Sequence, residues 1–126
     1  MKYVCLLITL CAALTSCAPA IVAYPASIER SDHIPARFVL LEPVTGISTA
    51  GFERMLPAGT VFAEIGSIPA GIVLRPLNKI LTVEGANIAE ADAVVTGKQW
   101  VGFYLRVEHA FSPLQEPVPI KLESQP

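Results

Sequence analysis

Hydrophobic and polar residues alternate over short stretches in the later two thirds of the chain, with little of the 3.6-residue repeat of an amphipathic helix. β-Branched residues are frequent in these stretches, and glycine or proline interrupts them at short spacing. The pattern predicts an all-β domain, a small antiparallel sandwich or partly open barrel of about six or seven strands. The predicted strands cover residues 37–42, 60–65, 71–75, 79–84, 91–96, 99–108 and 118–122.

Three local signals refine the connections between these strands. Gly97-Lys98 separates two predicted strands, and a two-residue connection of this kind closes a hairpin when its glycine takes a positive φ. Pro117 and Pro119 restrict the last strand to a sheet edge, because proline cannot donate to the ladder. Asn87, with a glutamate three residues later, has the spacing of a helix cap, so we expect at most a single helical turn there.

The predicted strand 99–108 has the most informative pattern. Strict alternation puts four apolar side chains on its core face, namely Val101, Phe103, Leu105 and Val107. The opposite face then carries Trp100, Tyr104 and Arg106. Because Tyr and Trp contribute a large contact area together with a polar group, these three residues form the candidate contact surface. The alternative is that a small sandwich or barrel covers this face as well.

The N-terminus has the order of features found in a signal peptide. Lys2 precedes an uncharged apolar run that ends at Leu14, and the small residues Thr15 and Ser16 come directly before Cys17. Leu14-Thr15-Ser16-Cys17 resembles the lipobox of bacterial lipoproteins. The resemblance implies recognition of Leu14, Thr15 and Ser16 by a signal peptidase, cleavage before Cys17, and attachment of lipid to the Cys17 thiol.

The lipobox resemblance also implies a cellular location for the protein and a division of its chain into segments. Acyl chains such as palmitate on Cys17 would hold the protein in a membrane. In a bacterium with two membranes, Ala18 rather than an aspartate after the cysteine implies sorting to the outer membrane, facing the periplasm. Ordinary secretion and an uncleaved anchor are the alternatives, although Pro19 and Pro25 would strain a continuous helix. We therefore predict a signal peptide at 1–16, a lipidated cysteine and extended tether at 17–36, a β-domain at 37–123 and a tail at 124–126.

Composition narrows the chemistry of the mature chain. Loss of Lys2 leaves a net charge of about −3, which gives no support for nucleic-acid binding. Cys17 would be the only cysteine left, so no disulfide is expected. The mature histidines are His33 and His109, and the sequence lacks a zinc-binding helix, a nucleophile elbow and a nucleotide loop. We therefore predict a non-enzymatic protein without a metal or cofactor.

Three acidic residues lie close together in the sequence, at Glu84, Glu90 and Asp92. Calcium requires six to eight oxygen ligands, usually supplied by a loop of alternating Asp and Asn residues. That alternation is absent from this stretch of sequence. We therefore interpret the three carboxylates as surface charges.

Together these features predict a membrane-anchored lipoprotein whose β-domain binds or supports a cell-envelope component. The expected partners are the membrane, through the lipid on Cys17, and an envelope protein, since tethering raises the effective concentration of a domain near its neighbours. An exclusion or receptor-blocking lipoprotein of phage or plasmid type is an alternative. An envelope hydrolase is a third, favoured only if His109 and an acidic residue face one another in a cleft.

Overall fold

The computed structural model describes residues 20–126; the predicted signal peptide, Leu14, Thr15, Ser16 and the lipidation site Cys17 lie outside the described residues. Within 20–126 all regular structure is β-strand, which confirms the all-β prediction. The strands are β1 Tyr24–Pro25, β2 Arg37–Leu40, β3 Val44–Ile47, β4 Glu53–Leu56, β5 Val61–Ile68, β6 Gly71–Pro76, β7 Leu81–Glu84, β8 Ile88–Thr96, β9 Gln99–Leu105, β10 Ala110–Pro119 and β11 Leu122–Gln125.

The strands form a sandwich-like arrangement of two antiparallel sheets. Nine strands make the main sheet in the order β1-β10-β9-β8-β6-β5-β2-β11, and β7 pairs with β8 beside this path. The hairpin β3–β4 forms the second sheet, and a bridge between Ser48 and Leu114 joins its end to β10. The main sheet does not close into a barrel. No helix of residues 20–126 is long and apolar enough to cross a membrane.

Hydrophobic clusters lie on both faces of the main sheet. Val73 and Val94 belong, with Ile68 and Tyr104, to a smaller cluster, which we call the outer cluster and which lies on the outer face of the sheet. Their neighbours Leu74 and Val95 belong to the larger cluster on the opposite face, as the alternation of a strand requires. The larger cluster holds the biggest buried side chains, among them Phe62. Burying an apolar side chain of this size contributes about 1.5–3 kcal/mol, so the disulfide-free domain is stabilised mainly by these contacts.

A β-bulge in β9 corrects the predicted division of its faces. On β8 the partners of Trp100 and Gly102 are consecutive residues, which leaves Val101 as an extra residue in β9. Trp100 and Phe103 therefore lie on the same face, edge to face with ring centroids 5.4 Å apart, and Trp100 Nε1 donates to the Gly102 carbonyl at 2.9 Å. Trp100 has no exposed surface and is a core residue rather than part of a contact surface.

Six of the seven predicted strands occur in the structure with shifted ends, whereas the seventh, 118–122, is divided between β10 and β11. Strand β9 stops at Leu105, because residues 106–109 form a turn, and Val107 is consequently exposed instead of facing the core. Strands β1, β3, β4 and most of β10 were not predicted. Within β10 the ladder to β9 is interrupted between Pro113 and Val118, a stretch that contains the donor-deficient Pro117.

The two predicted turns have opposite outcomes. Gly97 and Lys98 have φ values of 54° and 63°, so the predicted two-residue hairpin is confirmed and both of its residues are left-handed. No helical turn forms near Asn87. Instead the Gly85 amide donates to the Asn87 carbonyl at 3.1 Å, which closes a tight turn between β7 and β8, and β8 begins at the next residue.

Residues 20–36 are extended, but the structure packs them on the domain rather than leaving them as a tether. Strand β1 pairs with β10, and Glu29 exchanges backbone hydrogen bonds of 2.8 and 2.9 Å with Ser67. Farther along, the Glu64 amide donates to the Ala36 carbonyl at 2.9 Å. We refer to residues 26–36 as the strap. The folded unit thus begins before residue 37, because apolar residues such as Ile28 pack against the outer cluster.

Candidate functional site

The strap and the outer face of the main sheet enclose a cleft of about 810 Å³. One wall is formed by strap residues 27–35. The other is formed by β5, β6, β9 and the turn after β9. The polar and charged side chains lining the cleft are Ser27, Arg30, Ser31, His33, Glu64, Arg75, Tyr104, Arg106 and His109.

Beneath the cleft, the fully buried carboxylate of Asp92 holds two arginines. Arg75 donates through Nε and Nη2 to the two Asp92 oxygens at 3.2 and 3.1 Å. Arg106 donates through Nε to Asp92 Oδ1 at 2.9 Å, and its Nη2 forms an ion pair with the same oxygen at 2.7 Å. Burial of a carboxylate is tolerated only when it is paired and hydrogen-bonded, and Asp92 meets both conditions. Arg75, Arg106 and Asp92 by themselves carry a net charge of +1, and the half-exposed Glu90 lies 3.8 Å from Arg106 at the edge of this group.

Strand register brings these side chains together. Asp92 on β8 lies directly opposite Tyr104 on β9, and opposed side chains of an antiparallel pair project from the same face. On the other side of β8, Leu74 lies opposite Ala93, which places Arg75 one step farther along and next to Asp92. Arg106 reaches the same carboxylate from the turn that follows β9.

The burial of Asp92 overturns its interpretation as a surface charge. It lies within 91–95, a stretch of β8 that is buried throughout, because the larger core covers one face of the strand while the outer cluster and strap cover the other. Glu84 and Glu90 are less buried and pair with Arg54 and Arg106, respectively, the latter at 3.8 Å. Within 20–126, no group of three or more His, Cys, Asp or Glu side chains could hold a metal ion.

A second polar contact joins Tyr104 to His109 at one end of the cleft. The Tyr104 hydroxyl lies 3.1 Å from His109 Nδ1. His109 has a φ of 51°, a left-handed conformation that costs about 1–2 kcal/mol for a residue with a β-carbon. Burial raises the pKa of the Tyr104 hydroxyl, the Asp92 charge raises it further, and Arg75 opposes them. The hydroxyl therefore stays neutral and available as a donor at neutral pH.

At the middle of the strap, His33 Nε2 lies 3.2 Å from Glu64 Oε1 and 3.1 Å from Ser31 Oγ. These are the residue types of a hydrolytic triad. In a triad, however, the nucleophile and the acid bond to different ring nitrogens, so that the acid orients the base. Here both contacts are made to Nε2. The geometry holds the strap to β5 but does not form such a relay.

The predicted contact residues thus have three different positions. Trp100 is in the core. Tyr104 is buried apart from a small exposed area, and it lines the cleft. The Arg106 side chain is 27% exposed and also lines the cleft. The arrangement that would favour a hydrolase, His109 facing an acid, is not the one found among residues 20–126: His109 pairs with Tyr104, while Glu64 pairs with His33.

Sequence reasoning did not select Arg30, Arg75 or Asp92 for this site. The sequence nevertheless indicated their pairing. Asp92 interrupts one predicted apolar strand, and Arg75, of opposite charge, ends another. A charge inside a buried strand requires a partner, and an opposite charge at a similar strand position is the natural candidate.

Comparison of the chain with protein-family models, with curated proteins and with solved structures finds no match. The chemistry of the cleft therefore has to be argued from its own residues. Its lining is rich in guanidinium, imidazole and hydroxyl groups, which are suited to binding a polar ligand in a fixed orientation.

Proposed function

We propose that this protein is a lipid-anchored component of a bacterial cell envelope that binds another envelope component through the cleft between strap and sheet, without catalysing a reaction. The observation that carries the proposal is the clamping of Arg75 and Arg106 by the buried Asp92. The clamp holds two long side chains in place beside an 810 Å³ cleft. Side chains that are already ordered lose less entropy when a ligand binds, so the arrangement favours recognition.

Anchoring is supported by the resemblance of Leu14-Thr15-Ser16-Cys17 to a lipobox. Ile21, four residues after Cys17, packs against the larger core and lies over Gly85. Because an extended chain spans at most about 3.6 Å per residue, the lipidated cysteine would be within about 14 Å of Ile21. The domain would then be held close to the membrane surface, where its effective concentration toward other envelope components is high.

Metabolic labelling with a palmitate analogue tests the anchor. The wild-type chain should incorporate the label, whereas Cys17→Ser should not. Cys11→Ser is the matched control, because it removes a cysteine from the leader and keeps the lipobox. Incorporation of label by the Cys17→Ser chain would refute the lipoprotein assignment.

Site-specific photo-crosslinking in intact cells tests the binding cleft. A crosslinking residue at Ser31, in the cleft, should capture a discrete envelope molecule. The same residue at Met55, which is 58% exposed on β4 and outside the cleft lining, is the matched control and should not capture it. Capture from position 55 alone, or equally from both positions, would contradict binding through the cleft.

A further inference from the structure

We infer that the cleft is a phosphate site, in which Arg30, Arg75 and Arg106 recognise a phosphate group carried by an envelope molecule. The inference rests on the proposed function and names the chemistry of its ligand. Its basis is an excess of positive charge: the lining contains three arginines and one carboxylate, Glu64, above the buried Asp92, which itself holds Arg75 and Arg106 in place.

Charge balance alone does not explain two arginines at Asp92. One guanidinium would neutralise the buried carboxylate, and the second adds repulsion between like charges. Glu90 lies 3.8 Å from Arg106 and offsets part of this charge, but it is half exposed and outside the cleft lining, so solvent weakens the pair and leaves Arg106 able to attract an anion in the cleft. A ligand with negative charge would neutralise the surplus, and a phosphate with up to two charges suits it better than a neutral polar group.

Donor geometry favours the same ligand. Among the hydrogen bonds of residues 20–126, those of Arg75 go to Asp92 through Nε and Nη2, leaving Nη1 without an acceptor on a side chain that is 39% exposed. Guanidinium groups match phosphate oxygens in pairs. The remaining donors belong to Arg106 after β9 and Arg30 on the strap, so they approach the cleft from different elements. A tetrahedral phosphate accepts from several directions, whereas a planar carboxylate offers two oxygens in one plane.

Binding of inorganic phosphate to the full lipidated protein in a neutral detergent tests the site. We expect saturable shifts of the arginine Nε–Hε NMR signals with phosphate and none with chloride at equal ionic strength. Arg30→Gln should weaken phosphate binding about tenfold or more, the loss expected from one charged hydrogen bond. Arg37→Gln is the matched control: it removes the same charge from an exposed arginine outside the cleft lining and should leave the affinity unchanged.

Arg30 is the decisive position because it is exposed and does not contact Asp92. Arg75→Gln and Arg106→Gln should weaken binding as well, but each would remove a partner of a buried charge and could unfold the domain. Arg30→Gln has no such consequence. The absence of a saturable phosphate response in the folded wild type, or equal affinity in wild type and Arg30→Gln, would overturn the inference.

Vesicles distinguish the possible sources of the phosphate. The arms are phosphatidylcholine vesicles with and without phosphatidic acid, set against inorganic phosphate in solution. A response to phosphatidic acid that Arg30→Gln reduces identifies a lipid headgroup, and a response to dissolved phosphate alone identifies a soluble phosphate compound; either supports the site. If the crosslinking residue at position 31 captures an envelope molecule while neither dissolved phosphate nor phosphatidic acid binds, the proposed function stands and the phosphate inference fails.

Discussion

Ile28 of the strap lies directly over Gly66 of β5. A β-carbon at Gly66 would collide with Ile28 Cγ2 and would lie 2.5 Å from the Glu29 carbonyl oxygen. Gly66 has a φ of 149° and follows an irregularity in the β5–β6 register. This close approach lets the strap form its backbone pair with Ser67 and so build one wall of the cleft.

Substitution of Gly66 should therefore detach the strap. We expect Gly66→Ala to lower the free energy of unfolding by about 1–3 kcal/mol, the usual cost of overpacking, and to speed tryptic cleavage after Arg30. Gly51→Ala is the control: Gly51 also has a positive φ, 89°, but nothing lies within 4 Å of its β-carbon position. Equal cleavage after Arg30 in the two variants would show that the collision at Gly66 does not detach the strap.

Removal of Asp92 should strongly destabilise the domain. Asp92→Ala leaves two guanidinium groups without their acceptor, and breaking a buried ion pair costs about 3–5 kcal/mol. Glu42→Ala is the matched control, because Glu42 pairs with Lys121 where both side chains are more than half exposed, and such pairs contribute less than about 1 kcal/mol. Urea unfolding measures both free energies. Similar losses in the two variants would mean that the arginine clamp contributes little.

Tyr104 should make the protein sensitive to alkaline pH. Its raised pKa means that the unfolded tyrosine loses its proton near pH 10, before the folded one does. The folded state then holds more protons, so stability is constant below about pH 10 and falls above it. Tyr104→Phe should flatten this decline and remove a tyrosinate absorbance transition above pH 10. Tyr24→Phe, at an exposed site, should retain that transition; a Tyr104 transition at or below pH 10 would contradict the burial effect.

The position of Trp100 can be tested by fluorescence, since it is the only tryptophan. A fully buried indole should emit at short wavelength and resist quenching by acrylamide. The double variant Trp100→Phe, Val107→Trp moves the tryptophan to a site that is 82% exposed in the native chain and should emit at long wavelength with ready quenching. Ready quenching of the wild-type fluorescence would show that Trp100 is exposed at the surface.

These results show which levels of structure the sequence could predict. The hairpin turn at Gly97-Lys98 could be predicted from the sequence, because a two-residue connection has few conformations and glycine permits the left-handed one. Which β9 side chains face the core could not be predicted, since the bulge at Val101 moves Trp100 to the other side of the strand. The pairing of Asp92 with arginines 17 and 14 residues away depended on strand register, which no local pattern specifies.

By itself, the sequence determined the strand-rich character of residues 37–123 and the approximate positions of six of the eleven strands in 20–126, because alternation and turn residues act over a few neighbouring positions. It also carries the lipobox resemblance at Leu14-Thr15-Ser16-Cys17. Only the tertiary structure decided that 20–36 pack on the sheet, that Asp92 is buried, and that a cleft forms between them. Each of these depends on contacts between residues far apart in the chain, and burial on both faces of one sheet is a property of the assembled domain.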